Sequence, residues 1–216
     1  MIEAAGDSRS READRSAYSY VGVREHLASH GFLTTCYENG NTGDGMQCLA
    51  ALEAVFDRFQ DRTSRRVGSL GQSTGGQGAL YCVHHARAAW GTDSTLFALY
   101  TMAAESGFGA GGDLAWMDVY AATTSPVLTI NGSDDGLVSP GWVGQGFDAL
   151  GDQTEAYWYE AVGAPHIPIP VRWMNESSVA WLRWQLLGDA KACEYFKAMP
   201  DSDDWNLKGA QNETGC

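Results

Sequence analysis

One stretch constrains the fold of this chain more than any other: Arg66 to Leu80, RVGSLGQSTGGQGAL. A short run with strand character ends in Gly71-Gln72-Ser73-Thr74-Gly75 and continues into small residues that favour the start of a helix. This G-x-S-x-G pattern predicts a sharp strand-to-helix turn that exposes a serine hydroxyl above the end of a sheet. Glycine is needed on both sides because strand and helix approach each other closely there. Ser73 is therefore the first candidate for a reactive group.

Two further stretches supply the context that a short motif needs. The first is Gly132-Ser133-Asp134-Asp135-Gly136-Leu137-Val138, and the second is Gly163-Ala164-Pro165-His166. Serine, then acid, then histidine is the chain order found in α/β-hydrolases. A serine hydroxyl is a poor nucleophile near neutral pH, so a base must take its proton and a carboxylate must orient that base. We predict that Ser73, Asp135 and His166 perform these three roles.

The acid and the base each have competing candidates in the sequence. Two carboxylates compete, and the spacing Gly, two residues, Asp, two residues, Val is met by Asp135, whereas Asp134 is explained by a turn. His166 stands just past a predicted strand end, where a loop can carry it over the sheet. The remaining histidines lie within predicted helices: His26, His30, His84 and His85.

A serine nucleophile also needs donors for the oxyanion and a lining for the substrate. The backbone N–H of the residue after the nucleophile, Thr74, is the predicted first donor. The second should come from an earlier strand-to-helix loop, for which the candidate is Gly6 to Ser10. Position alone nominates Met102, Phe108 and Trp116 as substrate-binding residues, and an ordinary core or loop role fits them equally well.

The hydrophobic pattern alternates between strands and helices along the chain. This alternation predicts an α/β fold with a mostly parallel sheet, helices on both faces, and one domain over residues 1–216. The predicted strands besides the one before Ser73 are Phe32–Tyr37, Ser94–Ala103, Pro126–Asn131 and Thr154–Val162. The predicted helices besides the one after it are Tyr18–His30, Met46–Arg62, Trp142–Leu150, Val179–Leu187 and Ala190–Met199. Met1–Arg15 is predicted to be a loop, and the residues after Met199 an acidic surface tail.

Charge and hydropathy exclude several classes of function. A formal net charge of -13 disfavours nucleic-acid phosphates and anionic membrane surfaces, and it suits a neutral substrate. No window approaches 18 apolar residues, so no membrane span is predicted. Met1-Ile2-Glu3 lacks the regions of a signal peptide.

The five cysteines show no C-x-x-C spacing, and no metal or redox site is predicted. Cys193 and Cys216 can form a disulfide bond that joins the C-terminal tail to the last helix if the compartment is oxidising. Cys82 is expected to be a small buried apolar residue. Cys36 and Cys48 have the option of pairing, but free thiols are preferred because one looks like strand and the other like helix interior.

Four segments together resemble the bacterial cutinase and poly(ethylene terephthalate) hydrolase family: Leu27-Ala28-Ser29-His30-Gly31-Phe32, G-Q-S-T-G-G, G-S-D-D-G-L-V and G-A-P-H. The resemblance runs from about Tyr18 to Cys216. It implies an α/β-hydrolase fold and a secreted, cofactor-free enzyme that cleaves polyesters and short acyl esters. It also implies a triad of Ser73, Asp135 and His166, and it supports a bridge between Cys193 and Cys216.

The chain departs from that family in three places. Gln72 stands where the family usually carries an aromatic residue or histidine, the stretch Ala103–Gly112 lacks the tryptophan expected in the cleft, and no cysteines flank the acid and the histidine. Two alternatives therefore stay open. One is an esterase of the platelet-activating-factor acetylhydrolase type, and the other is a catalytically weak hydrolase-like scaffold that acts as a binding module.

The start of the chain is the largest departure. The family has about three strands before the oxyanion loop, whereas this chain has room for almost none, so it is expected to be naturally short or a fragment. Removing the third strand would leave a gap inside the sheet, with unpaired backbone. Three arrangements are predicted as alternatives. Met1–Ala5 fills part of the slot, the neighbouring strands pair directly with each other, or a second copy of the chain covers the exposed edge. The chain is accordingly expected to be a monomer or a homodimer through that edge.

Overall fold

A computed structural model describes residues 2–5, 13–38, 45–91, 96–102, 116–166 and 171–216. Strands and helices alternate through most of it, as the sequence predicts. The strands are β1 Ile2–Ala5, β2 Thr35–Glu38, β3 Arg66–Gln72, β4 Leu96–Met102, β5 Val127–Gly132, β6 Ala156–Ala161 and β7 Trp205–Gln211. The helices are α1 Ala13–Ser29, α2 Met46–Phe59, α3 Thr74–Trp90, α4 Trp116–Ala121, α5 Pro140–Ala149, α6 Val171–Leu187 and α7 Ala190–Ala198.

The strands form one sheet in the order β2-β1-β3-β4-β5-β6-β7. The first six run parallel, and β7 pairs antiparallel with β6. Parallel strands end at the same edge of a sheet, so the residues that follow β3, β5 and β6 are brought to one rim. Those are the segments that carry the three predicted reactive side chains.

The first strand corrects the prediction of a loop over Met1–Arg15. Ile2–Ala5 lies between β2 and β3, with Ile2 opposite Thr35 on one side and Ser69 on the other. The slot inside the sheet is therefore filled by the beginning of this chain, and β2 and β3 do not close directly on each other. Four residues are too few to show strand periodicity, which is why the pattern alone favoured a loop. Helix α1 also begins earlier than predicted, at Ala13.

The sheet is buried on both faces. Leu128 and Ile130 of β5 pack toward α1, α6 and α7, in a cluster that includes Leu27, Trp181 and Phe196. Val127 of the same strand faces the other layer, with α2, α3, α4 and α5. Alternate residues of a strand point to opposite faces, so burial on both sides explains why the predicted strands are nearly continuous apolar runs.

The C-terminal segment corrects the prediction of an acidic surface tail. Trp205–Gln211 forms the edge strand β7, and the Trp205 ring packs edge-on against Tyr159 with ring centroids 6.1 Å apart. Gly209 gives Phe147 room, because a Cβ there would lie 2.7 Å from the Phe147 ring. The burial pattern of this strand shows little alternation, as most of its residues remain partly or fully exposed, so its sequence gives a weak strand signal.

Two disulfide bonds lie in the described part of the chain; one joins α2 to α3, and the other joins α7 to the C-terminal residue. Cys193 is bonded to Cys216, the bridge that the sequence and the resemblance favour. Cys48 is bonded to Cys82, so the prediction of a free thiol is wrong for Cys48. Cys82 is buried as predicted, but as a disulfide partner. The cause is close packing of α2 on α3: Gly45, at φ 67°, lies so near α3 that a Cβ would be 2.5 Å from the Cys82 nitrogen. Cys36 is free and exposed.

Candidate active site

The turn at Ser73 has the strained geometry that the sequence motif predicts. Ser73 lies between the last residue of β3 and the first of α3, with φ 56° and ψ -129°. A positive φ in a non-glycine residue costs on the order of 1–3 kcal/mol and is concentrated at functional sites. Gly71 makes the turn possible, since a Cβ there would lie 1.9 Å from the carbonyl oxygen of Gly75. The strain is thus held in place by close backbone packing of strand on helix.

His166 reaches this serine from the segment that follows β6. Its side chain is 6% exposed, and its Nε2 lies 3.1 Å from Ser73 Oγ. That separation is within hydrogen-bond range, so the ring can accept the serine proton without a large movement. Of the other histidines, His26 of α1 contacts His30 just past the end of that helix, and His84 contacts His85 within α3.

Asp135 orients the imidazole from the segment after β5. One carboxylate oxygen, Oδ2, lies 2.8 Å from His166 Nδ1. The other oxygen, Oδ1, accepts hydrogen bonds from the backbone N–H groups of Leu137 at 2.9 Å and Val138 at 2.8 Å. A carboxylate held this way favours the tautomer with a proton on Nδ1, which leaves Nε2 as an acceptor for the Ser73 hydroxyl.

Asp134 has a different environment. It is exposed, and its Oδ1 accepts a hydrogen bond from Ser133 Oγ at 3.1 Å. Its backbone N–H donates to the carbonyl of Ala164 at 3.0 Å. This bond joins the acid loop, residues 133–138, to the histidine loop, residues 162–166, through the main chain. The carboxylate in contact with the imidazole is that of Asp135.

Further contacts brace the two loops against each other. The Ser133 backbone N–H donates to Ala161 O at 3.0 Å, and the Gly163 N–H donates to Ser133 Oγ at 2.8 Å. Gly132 permits the approach, because a Cβ there would lie 2.0 Å from Ala164 O. The acid and the histidine therefore sit on one bonded unit at the carboxyl ends of β5 and β6.

A contact from the turn itself was not anticipated from sequence. The side-chain amide of Gln72 donates through Nε2 to the main-chain carbonyl of His166. In the sequence, Gln72 stands out only as a departure from a family pattern. Its proximity to the histidine loop depends on the order of the strands, which a local motif does not encode.

Only some of the predicted oxyanion and substrate residues lie in the described part of the chain. Thr74 is the first residue of α3, directly after Ser73, and backbone N–H groups in the first turn of a helix point toward its start. Met102 ends β4, in register with Gln72 on β3. Trp116 begins α4 and packs edge-on against Tyr120, with centroids 5.6 Å apart. Phe108 and the loop Gly6–Ser10 lie outside the described residues.

Within the described ranges, no group of three or more His, Cys, Asp or Glu side chains is arranged to hold a metal ion. Across the same ranges, no helix combines the length and apolar character needed to cross a bilayer.

Comparison with known proteins identifies the fold. No family model and no curated protein matches the sequence. Among solved structures, an esterase domain of a Rhodothermus marinus protein matches with a TM-score of 0.61 at 14% identity, over 86% of each chain. A puromycin-hydrolyzing peptidase of Mycobacterium tuberculosis matches with a TM-score of 0.54 at 21% identity, over 68% of this chain and 26% of the peptidase. The chain has an α/β-hydrolase fold. At these identities the likeness extends to the fold alone, and it does not distinguish the cutinase family from other hydrolases of this architecture.

Proposed function

We propose that this protein is a serine carboxylic ester hydrolase of the cutinase and polyester-hydrolase type. One observation carries the proposal: Ser73, in a strained turn, is linked through His166 to Asp135 by contacts of 3.1 and 2.8 Å. A hydroxyl, an imidazole and a carboxylate in this order are the groups that acyl transfer requires. The fold supports the proposal because it places such a serine above the carboxyl ends of the strands.

In acylation, Ser73 Oγ attacks the ester carbonyl carbon while His166 Nε2 takes the hydroxyl proton. The carbonyl oxygen becomes an oxyanion that accepts a hydrogen bond from the Thr74 backbone N–H. The imidazolium, stabilised by Asp135, then delivers its proton to the alkoxide oxygen as the C–O bond breaks. The alcohol leaves, and the acyl group remains esterified to Ser73.

In deacylation, a water molecule replaces the alcohol. His166 removes one of its protons as the water oxygen attacks the acyl carbon, and the new tetrahedral oxyanion occupies the same site. Collapse of this intermediate breaks the bond to Ser73 Oγ, which recovers its proton from the imidazolium. The products are a carboxylic acid and the free enzyme, so no cofactor is consumed.

The proposed substrates are neutral esters, including polyesters and short acyl esters. The net charge of -13 disfavours anionic substrates, and the resemblance of the sequence segments supports the polyester class. Met102, Phe108 and Trp116 are the proposed lining residues. Two disulfides fit the secreted setting that the resemblance implies.

Hydrolysis of p-nitrophenyl butyrate tests the activity. The wild-type protein is expected to hydrolyse it, and Ser73→Ala and His166→Ala are expected to reduce the rate to background. A fluorophosphonate should label wild type at the peptide that contains Ser73, and it should leave Ser73→Ala unlabelled. A folded wild-type protein that neither turns over the ester nor reacts with the probe would instead be a silent scaffold.

Product analysis tests the substrate class separately. Poly(ethylene terephthalate) film, p-nitrophenyl butyrate and a short acetyl ester are incubated with wild type and with Ser73→Ala. Soluble terephthalate esters released by wild type alone support polyester hydrolysis. Turnover of the acetyl ester without release from film points to the acetylhydrolase alternative.

A further inference from the structure

The residue immediately before Ser73 also contacts the histidine loop. Gln72 is the half-buried last residue of β3, and its Nε2 donates to the main-chain oxygen of His166, 94 positions along the chain. Ser73 Oγ meets the imidazole of the same residue. Two consecutive residues of the turn thus engage the backbone and the side chain of one histidine.

Three further contacts join the histidine loop to the acid loop. The Gly163 N–H donates to Ser133 Oγ, the Ala164 carbonyl accepts from Asp134, and the imidazole Nδ1 faces Asp135. These bonds fix the histidine relative to the acid. They do not fix it relative to the nucleophile, which follows β3, a strand that β4 separates from β5.

We propose that Gln72 is a positioning residue that sets the distance between His166 and Ser73. This inference rests on the proposed function, since it concerns the same reaction. The amide is fixed at one end by the strand that carries the nucleophile and holds the histidine backbone at the other. It is also neutral, so it positions the ring without adding a charge beside it. Displacement of a catalytic base by about 1 Å from its working position can lower the rate about a hundredfold. A single hydrogen bond that holds the base in place therefore has a measurable effect.

The expected signature is a loss of kcat with little change in KM. His166 serves as the base in both acylation and deacylation, so a displaced imidazole slows both half-reactions by a similar factor. KM depends on the ratio of these two rates and therefore stays nearly constant. Loss of one neutral hydrogen bond weakens the positioning by roughly tenfold.

Gln72→Met keeps the length of the side chain and removes the donor, and Gln72→Glu keeps the shape but presents acceptors to the carbonyl. Gln72→Lys restores a donor. Gln145→Met, the same exchange at an exposed position of α5, is the matched control. Each variant is assayed for p-nitrophenyl butyrate kinetics, for its rate of fluorophosphonate labelling and for its thermal unfolding midpoint.

We expect Gln72→Met and Gln72→Glu to lower kcat and the labelling rate on the order of tenfold, with KM within about twofold and the unfolding midpoint within about 4 °C of wild type. Gln72→Lys should recover part of the loss, and Gln145→Met should match wild type. Wild-type kinetics in Gln72→Met and Gln72→Glu would overturn the role of Gln72 and leave the esterase intact. An increase in KM alone would assign Gln72 to substrate binding and also overturn it. An inactive, unlabelled wild type would overturn the proposed function itself.

Discussion

The carbonyl oxygen of Ala164 lies 2.0 Å from the place where a Cβ on Gly132 would stand. The end of β5 and the histidine loop are therefore in contact backbone to backbone. We expect Gly132→Ala to force the two segments apart, which moves the histidine away from the serine. Overpacking of this kind costs typically about 1–3 kcal/mol of folding free energy. Esterase activity should fall by more than tenfold at temperatures where circular dichroism shows the variant folded.

Gly136→Ala is the control for that substitution. Gly136 belongs to the same loop, and a Cβ there meets nothing within 4 Å. Its stability in urea and its activity are expected to remain close to wild type. Equal losses in the two variants would mean that the loop is sensitive to any substitution, and the contact with Ala164 would then not be the cause.

A second prediction separates the two neighbouring aspartates. Asp135→Asn leaves a side chain that can present its N–H to the imidazole, which favours the wrong tautomer, so kcat/KM should fall on the order of 10³–10⁴-fold. Asp134→Asn changes an exposed side chain bonded to Ser133, and its kcat/KM should stay within about threefold of wild type. Comparable losses at both positions would contradict the placement of Asp135 on His166 Nδ1.

A third prediction concerns the cysteines. Iodoacetamide added to the folded, unreduced protein should alkylate Cys36, which is free and exposed. After unfolding and reduction all five cysteines should react. Peptide mapping under non-reducing conditions should recover two crosslinked pairs, Cys48 with Cys82 and Cys193 with Cys216. Label at Cys82 before reduction would contradict the first pair.

A fourth prediction follows from a buried tyrosine. Burial raises the pKa of Tyr120 from 10.0 to about 12, opposed in part by hydrogen bonds from Thr101 and Thr129. The folded state therefore keeps this proton longer than the unfolded chain does. The stability it contributes is fully present below pH 10 and is lost as the pH rises through about 12.

Urea unfolding of wild type and Tyr120→Phe at pH 9 and pH 11 measures this contribution. Between these two values wild type should lose about 1 kcal/mol more unfolding free energy than the variant. Burial also raises the pKa of Tyr157 and Tyr159, but that effect is common to both proteins and cancels in the comparison. Parallel losses in wild type and Tyr120→Phe would show that Tyr120 ionises equally in both states.

Local sequence predicted most of the architecture because its signals are local. Continuous apolar runs marked β4, β5 and β6, which are buried on both faces, and the glycines around Ser73 marked a turn whose strain they permit. The prediction was wrong where a strand was short or lay at the exposed edge of the sheet. Ile2–Ala5 spans four residues, and Trp205–Gln211 is an edge strand with mostly exposed side chains.

The sequence by itself determined the turn at Ser73, the order of the three candidate reactive residues and the alternation that builds a parallel sheet. Each motif and each apolar run that supports these predictions is recognised from residues within a few positions of one another. Only the tertiary structure decided that Ile2–Ala5 fills the slot between β2 and β3, that Cys48 meets Cys82, and that Gln72 holds the backbone of His166. These pairings join residues tens of positions apart. Strand order and helix packing bring them together, and no spacing along the chain encodes such distances.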